Sequence, residues 1–284
     1  GRLPDRESDV QDIHRAPGGK RIGALRALFS LFTLLPVRSG ERDLEALWER
    51  PYLLPLIGAV FGLTMMGVLY PLSLILPLLV AAPCALFAVH LLNRFLHFDA
   101  LLDLGDGLVA HGDREMKVRA MRDSGVGAGA MAFGLFFTLV TVASLSSLTD
   151  HALILLPFGV EILSRVSMVA CAGRGDPREG LGRMIVSRTR FRAVIPSIAL
   201  SLVLLSPLLL MTQAWGVSSI LQVIVGFSVL VMVSVIIGVG MASLSQRSFG
   251  AVSGDVMGAT NEISRLVLLV TGTVVMDWMV SMPW

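Results

Sequence analysis

Val217-Ser-Ser-Ile-Leu-Gln-Val-Ile-Val-Gly-Phe-Ser-Val-Leu-Val-Met-Val-Ser-Val-Ile-Ile-Gly-Val-Gly-Met-Ala-Ser-Leu-Ser245 is a stretch of 29 residues without one charged side chain. A helix needs about 20 apolar residues to cross a bilayer, so this one has length to spare and can tilt or project beyond the hydrocarbon. Six further apolar stretches fall near 52–70, 72–92, 128–147, 152–172, 193–212 and 263–282. The whole chain agrees with them: 284 residues, 54% hydrophobic, 15% charged, mean hydropathy +0.76. A soluble domain carries about 25% charged residues. The expected fold is therefore all-α, a polytopic integral membrane protein with about seven transmembrane helices. Pro71, Pro77 and Pro83 around the second stretch leave a broken or re-entrant element open there.

Outside the spans, residues 1–20 are polar and turn-rich and read as a disordered arm. Residues 21–35 are apolar but too short to span, which predicts an interfacial helix stopped by Pro36, followed by a charged linker to residue 50. Residues 51–284 then form a single transmembrane helical domain. Basic residues give the orientation. Nine Lys/Arg precede the first span, five lie in 93–127, seven run from Arg165 to Arg192, and Arg247 and Arg265 complete the 23. Connections near 70–72, 146–151 and 213–216 hold none. Seven spans with a cytoplasmic N-terminus put every basic connection on the cytoplasmic side and the C-terminus on the other. Cys84 and Cys171 have no metal-ligand spacing and read as packing residues.

Within the 93–127 connection stands His97-Phe-Asp99-Ala-Leu-Leu-Asp103-Leu-Gly105-Asp106-Gly107. On a helix Asp99, Asp103 and Asp106, at i, i+4 and i+7, share one face. Like charges held together invite a cation, and hard oxygen donors without thiols suit Mg²⁺ or Mn²⁺, which bridges phosphate oxygens. Gly105 and Gly107 give a bulky anion access to backbone. A solvated acidic face is the alternative, set against the flanking Phe98, Leu101, Leu102 and Leu104.

Three other groups are candidates. Arg122-Asp123-Ser124-Gly125-Val126-Gly127 offers a further carboxylate and free N–H groups for a phosphate at a helix start, or simply a helix cap. Gly250, Gly254 and Gly258, spaced i, i+4, i+8, describe a helical groove for a helix or a ligand. Asp255 sits inside that groove, with Glu262 one turn beyond its end, and could complete a metal site or take a proton. Glu161 and Arg165, one turn apart in the fourth span, are either an ion pair or a substrate contact. The basic loop 174–192 suits an anionic nucleotide or anionic membrane lipid. His97 precedes Asp99 as a candidate base, phosphate donor or partner of a ligand.

Taken in order, these segments resemble the cobalamin synthase family, the adenosylcobinamide-GDP ribazoletransferases. The family's His-x-Asp-Gly-x-x-Asp-x-x-x-Asp-Gly pattern is similar, within one residue, to His97 through Asp99, Asp103 and Asp106-Gly107. Its Lys/Arg-Asp-Ser is matched by Arg122-Asp123-Ser124. Its Gly-Asp-x-x-Gly-Ala is matched by Gly254-Asp255 and Gly258-Ala259, and its opening by Phe32 through Pro36-Val37 and Pro55 through Gly58 and Gly62. Ala100, Gly125 and the shifted Gly129-Ala130 depart from the pattern. The resemblance implies a Mg²⁺-dependent membrane enzyme of the prokaryotic cytoplasmic membrane, working on its cytoplasmic face. The hydroxyl of α-ribazole, or its 5′-phosphate, attacks the cobinamide phosphate of adenosylcobinamide-GDP and GMP leaves. Asp99, Asp103 and Asp106 would hold the metal, Asp123 and Asp255 would be further ligands or the base, and residues 51–284 would be the catalytic domain. Nucleic acid is not an expected partner, and a homo-oligomer is compatible with the pattern.

Two other classes fit less well. A CDP-alcohol phosphotransferase needs Asp-Gly-x-x-Ala-Arg, which Asp99-Ala100-Leu101-Leu102 does not supply, and a polytopic prenyltransferase needs a second Asp-rich motif. An ion-coupled transporter predicts carboxylates at mid-bilayer, where only Glu161 lies.

Overall fold

The computed structural model describes residues 17–149, 151–180, 182–214 and 219–281. Twelve helices follow in order: α1 Pro17–Phe32, α2 Glu41–Trp48, α3 Leu54–Ser73, α4 Leu78–Leu92, α5 Leu96–Val109, α6 Arg114–Met121, α7 Ala128–Ser146, α8 Ala152–Arg174, α9 Gly182–Arg188, α10 Val194–Ala214, α11 Ile220–Phe249 and α12 Gly254–Ser281. Single 3₁₀ turns at Pro51–Leu53 and Phe191–Ala193 lead into α3 and α10. Among the described residues the extended backbone amounts to one isolated parallel bridge, Pro177 with Val252. The protein is all-α.

Six helical segments are long and apolar enough to cross a membrane: Pro51–Ser73, Ala128–Ser146, Ala152–Arg174, Phe191–Thr212, Ile220–Phe249 and Gly254–Trp278. A seventh crossing exists only if α4 and α5, bent by 95° between them, count as one. The stretch over 72–92 thus belongs to a broken element, as its prolines left open, and the sharp bend falls at residues 93–95 rather than at one of those prolines. Alone, α4 covers only about 22 Å at the helical rise, short of the hydrocarbon core. Arg94 and Phe95 both take left-handed backbone, with φ of 56° and 58°, a conformation L-residues adopt at a cost of about 1–2 kcal/mol each. Phe95 is held there by aromatic contacts: its ring centroid lies 5.6 Å from Phe87 and 5.9 Å from the stacked His90.

Differences at the other boundaries have local causes. α1 begins at Pro17, four residues before the expected interfacial segment, because a proline's missing amide hydrogen costs nothing at a first helical position. Of the predicted disordered arm, residues 1–16 lie outside the described residues. α1 packs on α2, where Arg26 and Asp43 approach to 3.5 Å. The Leu34 amide then donates to the Leu92 carbonyl at 2.8 Å, tying this pair of helices to the end of α4. At the far end α12 starts at Gly254, nine residues ahead of the predicted 263, because its polar first turns find partners inside the protein. The Thr260 hydroxyl donates to the Val256 carbonyl at 2.6 Å, and Glu262 pairs with Arg265.

Helix α8 is the hub, buried on nearly every face and packed by α3, α10, α11 and α12. Small residues permit this. A Cβ at Gly62 of α3 would stand 2.7 Å from the Phe158 carbonyl oxygen of α8, and one at Gly238 of α11 2.7 Å from the Ala170 methyl. In a bilayer, where helix association depends on close packing, such approach is the main contribution. Between these helices runs a buried ionic network. Arg265 donates from Nε to Glu161 and from Nη1 to Glu262, while Glu161 lies 3.6 Å from Arg165. Arg165 also sits 5.0 Å over the Phe61 ring.

Candidate active site at the charged end of the bundle

The connections at one end of the bundle carry nearly all the basic residues, and α5 lies there. Its buried face is His97, Ala100, Leu101, Leu104, Gly105 and Gly107, so the intervening positions turn the other way. Asp99 is exposed, and Asp103 and Asp106 are half-buried. The predicted i, i+4, i+7 carboxylate face on one helix is present. The first turn of α12 brings Asp255 to it across the α5–α12 crossing. There a Cβ at Gly258 would lie 2.6 Å from the Ala100 methyl, so the side chain at 100 is accommodated by the glycine at 258. The charges of Asp99, Asp255 and Asp106 all bear on Asp103. Four carboxylates from two remote parts of the chain therefore share one electrostatic site, repelling one another.

Asp106 has a structural duty as well. Its Oδ2 accepts the Gly127 amide at 2.8 Å and its Oδ1 the Ala130 amide at 2.9 Å, capping α7. The helix start proposed from the sequence as a phosphate cradle is thus taken by the protein's own anion, which satisfies both the free N–H groups and the helix dipole. Asp106→Ala is expected to cost about 1–2 kcal/mol in thermal unfolding, with Asp106→Asn losing less because one amide oxygen still accepts.

Asp123 stands apart. Its Oδ1 accepts the Gly125 amide at 2.8 Å in an exposed turn, and it shares with Asp106 an open cleft of about 910 Å³ that also includes His111. It is not among the charges acting on Asp103. Among the described residues no three His, Cys, Asp or Glu side chains converge on one point, so the five-carboxylate cluster is not assembled as a cage. Ser124 and Arg122 are exposed beside Asp123.

Several sequence candidates lie in the buried ionic network or in helix packing. Glu262 is buried, bonded to Arg265 and 3.9 Å from His90 Nε2. Arg165 is fully buried in the same network, which decides between ion pair and substrate contact in favour of the ion pair. Gly105 and Gly107 serve helix packing: a Cβ at 105 would meet the Gly129 carbonyl oxygen at 2.6 Å, and one at 107 the Phe249 ring at 3.0 Å. Gly250 is not part of one groove with Gly254 and Gly258. It ends α11 in left-handed backbone at φ 83°, a position suited to glycine. Gly254 opens α12 against Gly182, where a Cβ on Gly182 would lie 2.7 Å from the Gly254 Cα. His97 is 1% exposed, and neither ring nitrogen has a hydrogen-bond partner among the described residues.

Arg178 is the residue that sequence reasoning did not single out. The loop after α8 pairs with the turn before α12: the Val252 amide donates to the Asp176 carbonyl at 2.7 Å and the Arg178 amide to the Val252 carbonyl at 3.0 Å. Its guanidinium donates to the Phe249 carbonyl at 3.2 Å. Partial burial, then the neighbouring Arg122, hold its pKa below the ordinary arginine value. Neither Arg122 nor Arg178 is in an ion pair among the described residues. Nothing in the sequence separated Arg178 from the other arginines of a basic loop.

A polytopic helical membrane protein with carboxylates and unpaired guanidiniums gathered at one end has the make-up of an enzyme that handles phosphorylated substrates through a cation. Comparison narrows this class. Over residues 24–273 the chain matches the family described as Cobalamin-5-phosphate synthase, and it belongs to that family. It is similar to proteins named adenosylcobinamide-GDP ribazoletransferase: that of Methanococcoides burtonii is 32% identical, covering 88% of this chain and 92% of the relative. That of Methanocella arvoryzae is 32% identical, covering 92% and 98%, and that of Thermococcus gammatolerans is 34% identical, covering 85% and 93%. No solved structure matches the chain.

Proposed function

We propose that this protein joins adenosylcobinamide-GDP to α-ribazole or its 5′-phosphate, releasing GMP, at the cytoplasmic face of the membrane. The observation that carries the reading is the gathering of Asp99, Asp106 and Asp255 around Asp103, with the neighbouring guanidiniums of Arg122 and Arg178 in no ion pair among the described residues. The membership in the family and the names of its relatives agree with it. The basic connections favour the cytoplasmic side for this end by the positive-inside rule.

In the reaction a ribosyl oxygen forms a new bond to the phosphorus attached to cobinamide, and the P–O bond to GMP breaks. The hydroxyl proton passes to a carboxylate or water. Two large substrates must be positioned and a pyrophosphate neutralised. The donor set fits Mg²⁺: all hard oxygens, half-exposed, mutually repelling. A Mg²⁺ site usually takes only one or two carboxylates, with phosphate oxygens and waters supplying the rest, so a preformed cage is not required. One or two of Asp99, Asp103 and Asp255 would hold the ion, and Asp106, engaged in capping α7, would add its charge nearby. When bound, the ion offsets charge on the leaving phosphate. Asp123 would reach the site only from the neighbouring cleft. Arg122 and Arg178 would bind the guanylyl phosphates in the place of a carboxylate partner. Arg178→Ala is then expected to raise the KM for adenosylcobinamide-GDP about tenfold or more, a loss of roughly 1.5–3 kcal/mol, with the KM for α-ribazole little changed. Steady-state GMP release in purified protein measures it, and an unchanged KM would remove Arg178 from the site.

A further inference from the structure

Beside the carboxylates lies a cleft of about 800 Å³, walled by α1, α2, α5, α8, α9 and α12. Its lining is apolar: Phe32, Leu44, Trp48, Met168 and Ile185 are representative. Two polar side chains interrupt it. Asp255 links it to the acidic site, and His97 lines its wall with both ring nitrogens unpartnered at 1% exposure. The Phe32 ring lies against that imidazole, centroids 5.9 Å apart. A buried polar group without a partner costs free energy, so it is retained where a ligand or water completes it.

Resting on the activity proposed above, we infer that this cleft is the subsite for the base of the ribazole acceptor. The occupant must be flat, mostly apolar and polar at one point. A benzimidazole riboside meets this, since one ring nitrogen carries the sugar and the other is a single acceptor for an imidazole N–H. Guanine does not, because its edge carries several donors and acceptors that a lone histidine cannot satisfy and an apolar wall would desolvate. The corrin macrocycle does not either, since the amide side chains around its rim would be desolvated against the same apolar wall. Placing the base against His97 directs the ribose toward Asp255 and the neighbouring carboxylates, where a ribose hydroxyl other than the 5′ one, which can already carry a phosphate, must react. His97 in this role is a binding residue for the acceptor, not the general base considered from the sequence.

The test uses purified full-length protein in detergent, with adenosylcobinamide-GDP as donor and either the benzimidazole riboside α-ribazole or its indole counterpart, which lacks the free nitrogen, as acceptor. Wild type is expected to prefer the benzimidazole riboside at least tenfold in kcat/KM, and His97→Phe to lose that preference. Leu44→Trp, which fills the cleft, is expected to raise the KM for α-ribazole at least tenfold while that for adenosylcobinamide-GDP stays within twofold. As a check on binding without turnover, 5,6-dimethylbenzimidazole alone is expected to quench the fluorescence of Trp48 in the wild-type cleft, seen as the difference between wild type and Trp48→Phe. A preference kept by His97→Phe, a KM change that falls on adenosylcobinamide-GDP, or no difference in quenching would overturn the subsite. Wild type that releases no GMP from either pair would instead overturn the activity itself.

Discussion

Arg265→Met is expected to destabilise the protein by about 3–5 kcal/mol, the largest stability loss of any single change outside the helix-packing glycines. Arg265 is 1% exposed and is the only side chain among those described that bonds both Glu161 and Glu262. With it the network holds two carboxylates and two guanidiniums. Without it, Arg165 remains for Glu161 at 3.6 Å, while Glu262 keeps the Asn261 amide at 3.2 Å and His90 at 3.9 Å, neither of them a fixed cation. A carboxylate left unpaired at that depth has no water to turn to. Thermal unfolding in detergent measures the loss. Arg265→Met combined with Glu262→Met is expected to recover part of it, since removing both partners leaves no orphaned charge. Arg183→Met, in an exposed pair with Glu179 at 3.9 Å, is expected to change nothing measurable. If Arg265→Met proves as mild as Arg183→Met, the network is not what holds α8 to α12.

Asp103→Asn is expected to do the reverse, lowering transfer while leaving the fold intact. Asp103 is the carboxylate on which Asp99, Asp255 and Asp106 all act. Neutralising it relieves repulsion, so the melting temperature is expected to stay or rise. The rate of GMP formation in a single turnover is expected to fall about 10²–10³-fold, the usual loss when a group stabilising transition-state charge is removed. This opposition between stability and activity marks a functional site, because a structural carboxylate would lose both together. Near-wild-type turnover at saturating Mg²⁺ would exclude Asp103 from the reaction.

Much of this arrangement is written in local sequence and some of it is not. Apolar length and the absence of charge made the long helices legible, and helical spacing put Asp99, Asp103 and Asp106 on one face because both are properties of a single segment. A break near the second apolar stretch was legible from its prolines, but not its place between α4 and α5, because the cause there is tertiary. Arg94 and Phe95 are not turn formers, and their left-handed backbone is held by rings from α4 and α5. For glycine, sequence shows freedom of approach without showing what approaches. At 105, 107 and 258 it is helix or side chain rather than substrate, and at 250 the need is a helix ending. Asp106 looked like a ligand, and its engagement with Gly127 and Ala130 depends on a contact 21–24 residues away. Glu262 illustrates the limit most plainly: seven residues on from Asp255 it shares that helix face, but two turns further along it is buried against Arg265.

The central claim is that the acidic end of α5, closed by Asp255, holds a divalent cation for pyrophosphate chemistry. GMP release from adenosylcobinamide-GDP and α-ribazole in washed membranes containing the protein, with EDTA and then with Mg²⁺ restored, tests it most directly. GMP formation that EDTA abolishes and Mg²⁺ restores is expected, with Asp103→Asn membranes slower by about 10²–10³-fold at any Mg²⁺ concentration. Release that is indifferent to EDTA, or no release with Mg²⁺ and both substrates present, would contradict it.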